Sequence, residues 1–321
     1  MARHAIGLDI GGTKVAGAVV AEDGTVVDEL TEPTPQTSDA PTMSRLLLGM
    51  VDSLRGRNPE VLAVGVGAAG TVAWPSGRIL WAPNNAYRDW AVRAEIEEAT
   101  GLPAVVDNDA NVAGLAEARL GDTLYQEMVL VTVGTGVGSG IVLGGHIYRG
   151  PRGLGAELGH IIVDPNGPVC GCGNRGCLES LASGTALTRT GREAAAAEPD
   201  GLIARLAREK NAEVSGQIVT EAALQGDPTA RRLFQTLARW LGIGIASVTT
   251  IFELDAVVIG GGVVDTGELL LAPLREAAAE FAYANTVRPL VPVLPGTFGS
   301  AAGKIGAALL ALDHADDRST R

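Results

Sequence analysis

The chain has 321 residues, of which 46% are hydrophobic, and this length suits one large or two ordinary domains with a substantial core. Its formal net charge of −12 argues against broad binding to nucleic acid or to anionic membranes, which attract basic surfaces. No run approaches the roughly 18 apolar residues of a membrane-spanning helix, so we expect a cytoplasmic protein.

The first motif lies between two apolar segments near the N-terminus. Ala5 to Leu8 and Val15 to Val20 predict strands, and the turn that joins them contains Asp9-Ile10-Gly11-Gly12-Thr13-Lys14. Backbone N–H groups of such a turn can converge on a phosphate, and Thr13 can add a hydroxyl donor. The Walker and Rossmann spacings are absent, however, and an ordinary tight turn explains G-G-T-K about equally well.

A polar run follows the next predicted strands. Val61 to Val66 and Ala104 to Val106 read as buried strands, and the second leads into D-N-D-A-N at residues 107–111 and a helix through Leu120. One Asp or Asn is expected there as a helix cap, but a cap does not account for four polar residues. Carboxylates at a strand exit lie where open α/β sheets bind ligands. Asn84, in W-A-P-N-N, is a candidate hydroxyl-binding amide, although turn chemistry also explains it.

A second strand-turn-strand unit repeats the first. The strand Met128 to Val133 is followed by Gly134-Thr135-Gly136-Val137-Gly138-Ser139-Gly140 and then by Ile141 to Leu143. This segment matches the first motif in its initial glycine, in the glycine six positions later and in its apolar exit, which suggests two related halves. A third strand, Ala256 to Ile259, ends in Gly260-Gly261-Gly262, where bare backbone can approach a base or ribose.

The C-terminal half reads as mainly helical. Predicted helices cover Leu181 to Ala197, Leu202 to Lys210, Thr220 to Gln225, Thr229 to Ile251, Gly267 to Ala284 and Ala301 to Leu312. An earlier helix is predicted from Trp90 to Thr100. The tail from Asp313 to Arg321 is polar, and we expect it to be frayed.

All three cysteines lie in one eight-residue run, C-G-C-G-N-R-G-C, from Cys170 to Cys177. His160 stands ten residues upstream, so Cys170, Cys172, Cys177 and His160 supply the three thiolates and one nitrogen of a closed tetrahedral zinc site. Three free thiols in a glycine-rich loop are the alternative. Grouping of every cysteine this closely favours structural zinc, and reduced thiols fit a cytoplasmic compartment.

These motifs together resemble the ROK family, which groups bacterial repressors and sugar kinases. The resemblance rests on D-I-G-G-T-K, N-D-A-N, V-G-T-G-V-G-S-G, E-x-G-H and C-x-C-G-x-x-G-C-x-E, and it extends from Asp9 to about Gly306. The family's repressors carry an N-terminal helix-turn-helix domain, and with eight residues before Asp9 we expect no such domain here. The resemblance therefore implies a kinase, most similar to the ROK glucokinases, that phosphorylates glucose to glucose 6-phosphate with ATP and Mg²⁺.

The resemblance also assigns roles to individual residues. Asp109 matches the catalytic base, and Asp9 matches the carboxylate that helps to hold Mg²⁺, usually through water. Sugar-hydroxyl contacts are implied for Asn84, Asn108, Asp109, Glu157, His160 and Glu179. Nucleotide contacts are implied for Gly11, Gly12, Thr13, Lys14, Gly134, Thr135, Gly136, Gly138, Gly261 and Gly262. For Lys14, a phosphate contact and a solvated side chain are equally good interpretations.

The fold implied by the family is α/β, the two-domain actin-like ATPase (ribonuclease H-like) fold, with nucleotide and sugar in the interdomain cleft. We expect a small domain over residues 1–108, a large domain over residues 109–299, and a C-terminal helix at 300–315 that returns to the small domain. The family also implies a homodimer or homotetramer.

Three alternatives remain open from the sequence. Another hexose, such as fructose, mannose or N-acetylmannosamine, can be the acceptor, since specificity depends on whether each buried polar group finds its hydroxyl. A sugar-sensing regulator without turnover is a different class, and intact phosphate loops and base argue against it. A polyphosphate-using kinase is the third, and the family resemblance implies ATP instead, because polyphosphate-using relatives lack the cysteine run.

Overall fold

The computed structural model describes residues 2–82 and 86–319, with side chains through residue 316. In this part of the chain the strands are β1 (His4–Ile10), β2 (Lys14–Ala21), β3 (Val26–Pro33), β4 (Val64–Ala68), β5 (Thr71–Ala73), β6 (Arg78–Trp81), β7 (Arg88–Trp90), β8 (Ala104–Asn108), β9 (Met128–Val133), β10 (Val137–Leu143), β11 (His146–Tyr148), β12 (Ala256–Gly260) and β13 (Val293–Pro295). The α-helices are α1 (Ala40–Arg57), α2 (Val92–Thr100), α3 (Asp109–Leu120), α4 (Leu178–Ala182), α5 (Gly184–Ala197), α6 (Leu202–Glu209), α7 (Gly216–Leu224), α8 (Pro228–Ile251), α9 (Glu268–Phe281) and α10 (Ala302–Ser319).

The chain divides into two compact units. The first comprises Met1–Leu130, Gly140–Ala156 and Gly296–Arg321, and the second comprises Val131–Ser139 and Glu157–Pro295. The domain boundary predicted near residue 108 stays a prediction. No helix in the described ranges combines the length and apolar character needed to cross a membrane.

A five-stranded sheet with the order β3-β2-β1-β4-β8 forms the centre of the first unit. β1, β2 and β3 pair antiparallel, whereas β4 and β8 run parallel to β1. The buried strands β1, β4 and β8 are almost uninterrupted apolar runs, as expected where both faces of a sheet are covered. The parallel strands end at the same edge, so Asp9 and Asn108 both lie near that edge.

Helices cover both faces of this sheet. α1 packs one face with a stripe of buried residues at helical spacing: Met43, Leu47, Met50, Val51 and Leu54. It begins after Asp39, whose side chain accepts from the Thr42 amide at 2.8 Å and caps the helix. The opposite face is covered by α3 and α10, whose apolar side chains form a second buried cluster.

α10 contacts the sheet through backbone as well as through side chains. Gly7 on β1 lies directly under α10, and a Cβ built there would overlap the Lys304 carbonyl and lie 2.8 Å from the Ala308 nitrogen. At Gly65 on β4 a Cβ would overlap the Ala307 carbonyl. The closeness of helix and sheet therefore depends on the missing side chains at these two positions.

The second unit is mainly helical. β12 and β13 pair in parallel, and α8 packs along α9. α8 begins after Asp227, whose side chain accepts from the Ala230 amide at 2.7 Å, and Pro228 takes the first helical position, where its missing N–H costs nothing.

The second large sheet has the strand order β11-β10-β9-β12-β13. This order repeats that of the first sheet. In each sheet the first strand in sequence is central, the next two strands lie on one side of it, and two strands from later in the chain lie on the other side. The repetition supports the predicted relation between two halves of the chain. β5, β6 and β7 form a separate three-stranded sheet.

Several predicted boundaries were wrong. The single helix predicted from Leu181 to Ala197 is two helices, because Ser183 adopts an extended conformation and caps α5 by accepting from the Ala186 amide at 3.1 Å. The tail expected to fray is helical through Ser319. Arg3 contributes to this order, since its guanidinium donates to Asp316 at 2.7 Å and to the Leu312 carbonyl at 3.3 Å.

We predict that Gly7→Ala destabilises the protein, because the new methyl group must displace α10 from the sheet. Overpacking of this kind costs about 1–3 kcal/mol, measurable as a lower midpoint in urea unfolding. Gly49→Ala is the matched control. Gly49 is exposed on α1 with open space around it, and the change should stabilise by about 0.5–1 kcal/mol. Equal effects of the two substitutions would contradict the proposed close contact.

Candidate active site

Asp109 stands at the junction of β8 and α3, where Asn108 caps the helix. The Asn108 side-chain oxygen accepts from the amides of Ala110 at 2.9 Å and Asn111 at 3.2 Å, and its amide nitrogen donates to the Gly70 carbonyl at 3.1 Å. The Ala110 amide also donates to Asp109 Oδ1 at 2.8 Å. The carboxylate predicted as a base is thus held at the N-terminus of a capped helix.

Asp9 and Asp109 influence each other electrostatically. The pKa of Asp9 is raised to about 7, chiefly by desolvation and then by the Asp109 charge, while Lys14 and Lys304 oppose the increase. Burial also raises the pKa of Asp109, while hydrogen bonds from the Ala110 amide, its own amide and the Asn108 side chain act in the opposite direction. A carboxyl with a raised pKa is well suited to accept a proton near neutral pH.

The first glycine-rich loop, Gly11–Lys14, is closed by a hydrogen bond from the Gly11 amide to the Lys14 carbonyl at 3.0 Å. Thr34 makes two hydrogen bonds to this loop. Its hydroxyl donates to the Gly11 carbonyl at 2.8 Å, and its amide donates to the Thr13 carbonyl at 3.0 Å. Gly12, Thr13 and Lys14 are exposed. Residues 12–14 of the loop are therefore open to solvent, while the hydrogen bonds from Thr34 fix the loop's backbone.

The second loop, Gly134–Gly138, rests on the first turn of α5. The Gly134 carbonyl accepts from the Gly184 amide at 2.8 Å, and the Thr135 carbonyl accepts from the Thr185 hydroxyl at 2.7 Å. These contacts use the loop's carbonyl groups and orient its backbone.

Glu179 joins this second loop to the cysteine run. Its Oε2 accepts from the Val137 amide at 3.1 Å, and its Oε1 lies 3.7 Å from the Cys170 sulfur. A Cβ at Gly136 would overlap this carboxylate. One side chain thus contacts both the loop and the cluster.

Gly261 and Gly262 follow β12. Gly261 has φ +84° and lies so close to Val133 that a Cβ would be 2.5 Å from the Val133 carbonyl oxygen, whereas Gly262 faces open space. The Val263 amide donates to the same carbonyl at 3.0 Å. Gly262 is therefore accessible to a ligand, and Gly261 allows the chain to cross the end of β9.

The structure brings together all four predicted zinc ligands. The sulfurs of Cys172 and Cys177 are 3.6 Å apart, the Cys170 sulfur is 3.7 Å from His160 Nδ1, and the four ligand atoms all lie within 4.8 Å of one another. A tetrahedral Zn²⁺ with Zn–S bonds of about 2.3 Å separates its sulfurs by about 3.8 Å. The donor set and its spacing therefore fit zinc.

The charge state of the thiols also bears on this fit. Burial raises the pKa of Cys177 to about 12 and raises that of Cys170, whereas the Asn174 amide lowers the pKa of Cys172. Thiols that hold their protons this firmly become ligands when a cation displaces the protons. Zinc affinity should accordingly increase with pH.

Two predicted sugar-binding residues, Glu157 and Asn84, remain to be located. Glu157 immediately precedes the short 3-10 helix Leu158–His160, and its carbonyl accepts from the His160 amide at 3.0 Å. Asn84 lies outside the described residues. Sequence reasoning missed the contact of Glu179 with Val137 and the ion pair of Arg149 with Asp107. Neither has a sequence signal, since each joins residues 42 positions apart.

The profile of the ROK family matches residues 5–314. The chain belongs to the ROK family.

Individual relatives within the ROK family match almost the whole chain. A glucokinase of Streptomyces coelicolor is 38% identical over 309 residues, which are 95% of this chain and 96% of that protein. An N-acetylmannosamine kinase of Escherichia coli is 34% identical over 311 residues, 96% of this chain and 98% of that protein. The crystal structure of a ROK family glucokinase from Streptomyces griseus, in complex with glucose and AMPPNP, superimposes with a TM-score of 0.84 and 39% identity, covering 97% of this chain and 99% of that one. The predicted fold class, the actin-like ATPase fold, is confirmed.

We predict that Asp9→Asn raises the midpoint of thermal unfolding at pH 8.5, that the gain is clearly smaller at pH 5.5, and that it disappears only below the ordinary pKa of 3.8. The folded-state pKa of Asp9, about 7, exceeds its ordinary value, so ionisation of this carboxyl favours the unfolded chain. Above pH 7 the wild-type protein carries that charge, and the asparagine variant does not. Between pH 7 and pH 3.8 the folded wild-type carboxyl is neutral but the unfolded one is ionised, so the gain decreases steadily as the pH falls through this range. We expect a gain of at least about 2 °C at pH 8.5, measured in EDTA.

Asp23→Asn serves as the control for this experiment. Asp23 is exposed, and the Thr25 amide lowers its pKa, so its replacement should give no gain at pH 8.5. A gain for Asp9→Asn that is as large at pH 5.5 as at pH 8.5 would show that the charge is not its cause.

For the cysteine cluster, we predict that Cys172→Ser purifies with much less than one zinc per chain and binds sugar more weakly. Loss of one thiolate opens the ligand set, and Glu179, beside Cys170, loses its support. Metal content is measured by mass spectrometry and sugar affinity by calorimetry. Asn166→Ser, an exposed change in the same segment, should keep both. A zinc-free variant with unchanged sugar affinity would separate the metal from the sugar site.

Proposed function

We propose that this ROK family member is an ATP-dependent sugar kinase that phosphorylates glucose at its 6-hydroxyl. The whole-chain similarity to glucokinases supports the reaction class and glucose as the acceptor. The position of Asp109 supports the mechanism, because it is a carboxylate with a raised pKa, fixed at the start of a capped helix.

Asp109 accepts the proton of the attacking sugar hydroxyl in this proposal. The hydroxyl oxygen forms a bond to the γ-phosphorus of ATP while the bond from that phosphorus to the bridging oxygen breaks, and ADP leaves. Phosphoryl transfer needs in-line positioning and neutralised charge more than covalent participation of the protein. A fixed base contributes typically 10²–10⁴-fold to such a step.

Other residues bind and orient the two substrates. Mg²⁺ supplies neutralisation of phosphate charge, and Asp9 would hold it through water. Phosphates are bound by the first loop, through Gly11, Gly12, Thr13 and Lys14, and by the second, through Gly134, Thr135, Gly136 and Gly138. Gly261 and Gly262 face the adenosine. The sugar hydroxyls are bound by Asn84, Asn108, Glu157, His160 and Glu179.

Zinc is structural in this proposal. The protein supplies four ligands, and a closed tetrahedral site has no open position for a reacting group. Its role is to hold His160 and the cysteine run, and through that run the neighbouring carboxylate of Glu179.

Glucose is favoured over other hexoses, but related kinases differ in this respect. The similarity to an N-acetylmannosamine kinase at 34% identity makes that sugar the specific competitor. A site discriminates against a sugar when a buried polar group is left without its hydroxyl, and the ratio of kcat/KM values measures this discrimination.

The test is an assay of ADP release with ATP and Mg²⁺ on protein of known zinc content, across glucose, N-acetylmannosamine, mannose and fructose. We expect the largest kcat/KM with glucose. Asp109→Asn should reduce kcat by at least about 100-fold and leave glucose binding nearly intact, because the amide keeps the shape of the side chain.

Each alternative outcome has its own meaning. Preference for another hexose would correct the acceptor and retain the kinase. Near-normal turnover by Asp109→Asn would remove Asp109 from its role as base. Zinc-loaded protein that turns over no sugar but binds glucose would favour the sugar sensor.

A further inference from the structure

Arg149 and Asp107 form an ion pair to which the proposed chemistry assigns no role. Arg149 Nε donates to Asp107 Oδ2, and the two side chains are only 13% and 5% exposed. A buried carboxylate is costly unless an opposite charge and hydrogen bonds compensate for lost water. Arg149 provides that charge from the segment after β11.

The other oxygen of Asp107 holds the turn that carries the proposed base. Oδ1 accepts from the Asn108 amide at 2.8 Å and from the Asn111 side-chain nitrogen at 2.9 Å. These donors lie on either side of Asp109 in the sequence. The orientation of the Asp107 carboxylate therefore determines where the peptide around Asp109 sits.

Arg149 is itself fixed in direction. Its guanidinium lies over the Trp74 ring, 4.0 Å from the centroid, and Nη1 donates to the Ile147 carbonyl at 3.2 Å. The Trp74 amide donates to the Arg152 carbonyl at 3.0 Å, so the ring and the arginine segment are also joined through backbone. A planar guanidinium can stack and donate simultaneously, which a lysine cannot do.

We propose that Arg149 is a positioning residue for the kinase reaction, acting on Asp109 through Asp107. This inference rests on the proposed function. The contacts run from Trp74 to Arg149, to Asp107, and to both sides of Asp109, all within the first unit. Small displacements of a catalytic group reduce turnover strongly, by about 100-fold for roughly 1 Å.

The experiment compares Arg149→Met with wild type in two independent measurements. Methionine keeps much of the length and packing but removes the charge and the donors. Amide hydrogen exchange should become faster in peptides that cover residues 107–111. Steady-state kinetics should show kcat reduced about 10- to 100-fold, with the KM values for ATP and sugar within about threefold of wild type.

A second substitution distinguishes positioning from general loss of stability. In Arg149→Met/Asp107→Asn, the asparagine retains an acceptor for the Asn108 and Asn111 donors but leaves no unpaired buried charge. We expect amide hydrogen exchange at 107–111 to be slower in the double variant than in Arg149→Met. We also expect its kcat to be at least about fivefold higher than that of Arg149→Met. A merely destabilised protein would regain activity only in proportion to its folded fraction, so the assays are run well below the urea-unfolding midpoints of both variants, where that fraction is constant.

Arg239→Met is the matched control. Arg239 also pairs with a carboxylate, Glu280, and lies over a ring, that of Phe281, but both members of its ion pair are 54% exposed. Its replacement should change neither exchange at 107–111 nor kcat. If Arg149→Met cannot be obtained folded, Arg149→Lys carries the test, and its kcat should fall at unchanged KM because lysine lacks the fixed Nε donor.

The two proposals can fail separately. Unchanged exchange at 107–111 in Arg149→Met, or no recovery in the double variant, overturns the positioning role whatever the activity. Wild-type protein that phosphorylates no sugar overturns the proposed function, and the exchange measurements then still decide whether Arg149 orders the turn.

Discussion

The close contact of α10 with the first sheet is the constraint on which the first unit depends. Gly7 and Gly65 remove the side chains that would separate them, and Gly306 of α10 lies equally close to the Val112 carbonyl of α3. The last helix of the chain therefore touches β1, β4 and α3 through backbone. Because β1 carries Asp9 and α3 begins with Asp109, this packing determines the distance between the two carboxylates. The secondary structure of β1 and α3 alone would not determine that distance.

That packing has an electrostatic consequence. Gly303 brings the start of α10 against the Asp9 carboxyl, where a Cβ would be 2.5 Å from Oδ2. The pKa of Asp9 is raised to about 7, first by the loss of water and then by the Asp109 charge, while Lys14 and Lys304 oppose the shift. Poorly compensated charge of this kind destabilises the folded chain, but it leaves carboxylates able to bind cations and protons. The charge of Asp9 thus lowers the stability of the folded chain but is needed for its proposed role in binding cations.

The sequence predicts the local groups of polar residues better than the long-range contacts that hold them. The cysteine run and D-N-D-A-N are local signals, because ligand spacing and strand-to-helix junctions are short-range patterns, and the structure places each as a compact group. The break at Ser183 was missed because apolar periodicity continues on both sides of the cap. Arg149 was missed for a different reason. Its partners, Trp74 and Asp107, are distant in sequence, and only the fold brings them together.

The two units share a way of holding functional groups. In the first, the buried carboxylate of Asp107 accepts hydrogen bonds from Asn108 and Asn111, on either side of Asp109, and from Arg149. Because its oxygens are all hydrogen-bonded, this carboxylate fixes the turn that contains Asp109. In the second, Glu179 accepts from Val137 of the second glycine-rich loop and lies beside Cys170 of the cysteine cluster. A ligand that moved the cluster would therefore move the carboxylate that holds the loop. Such coupling requires that Glu179 keep both contacts, which a shorter aspartate could not do, and this is a physical reason for glutamate at that position.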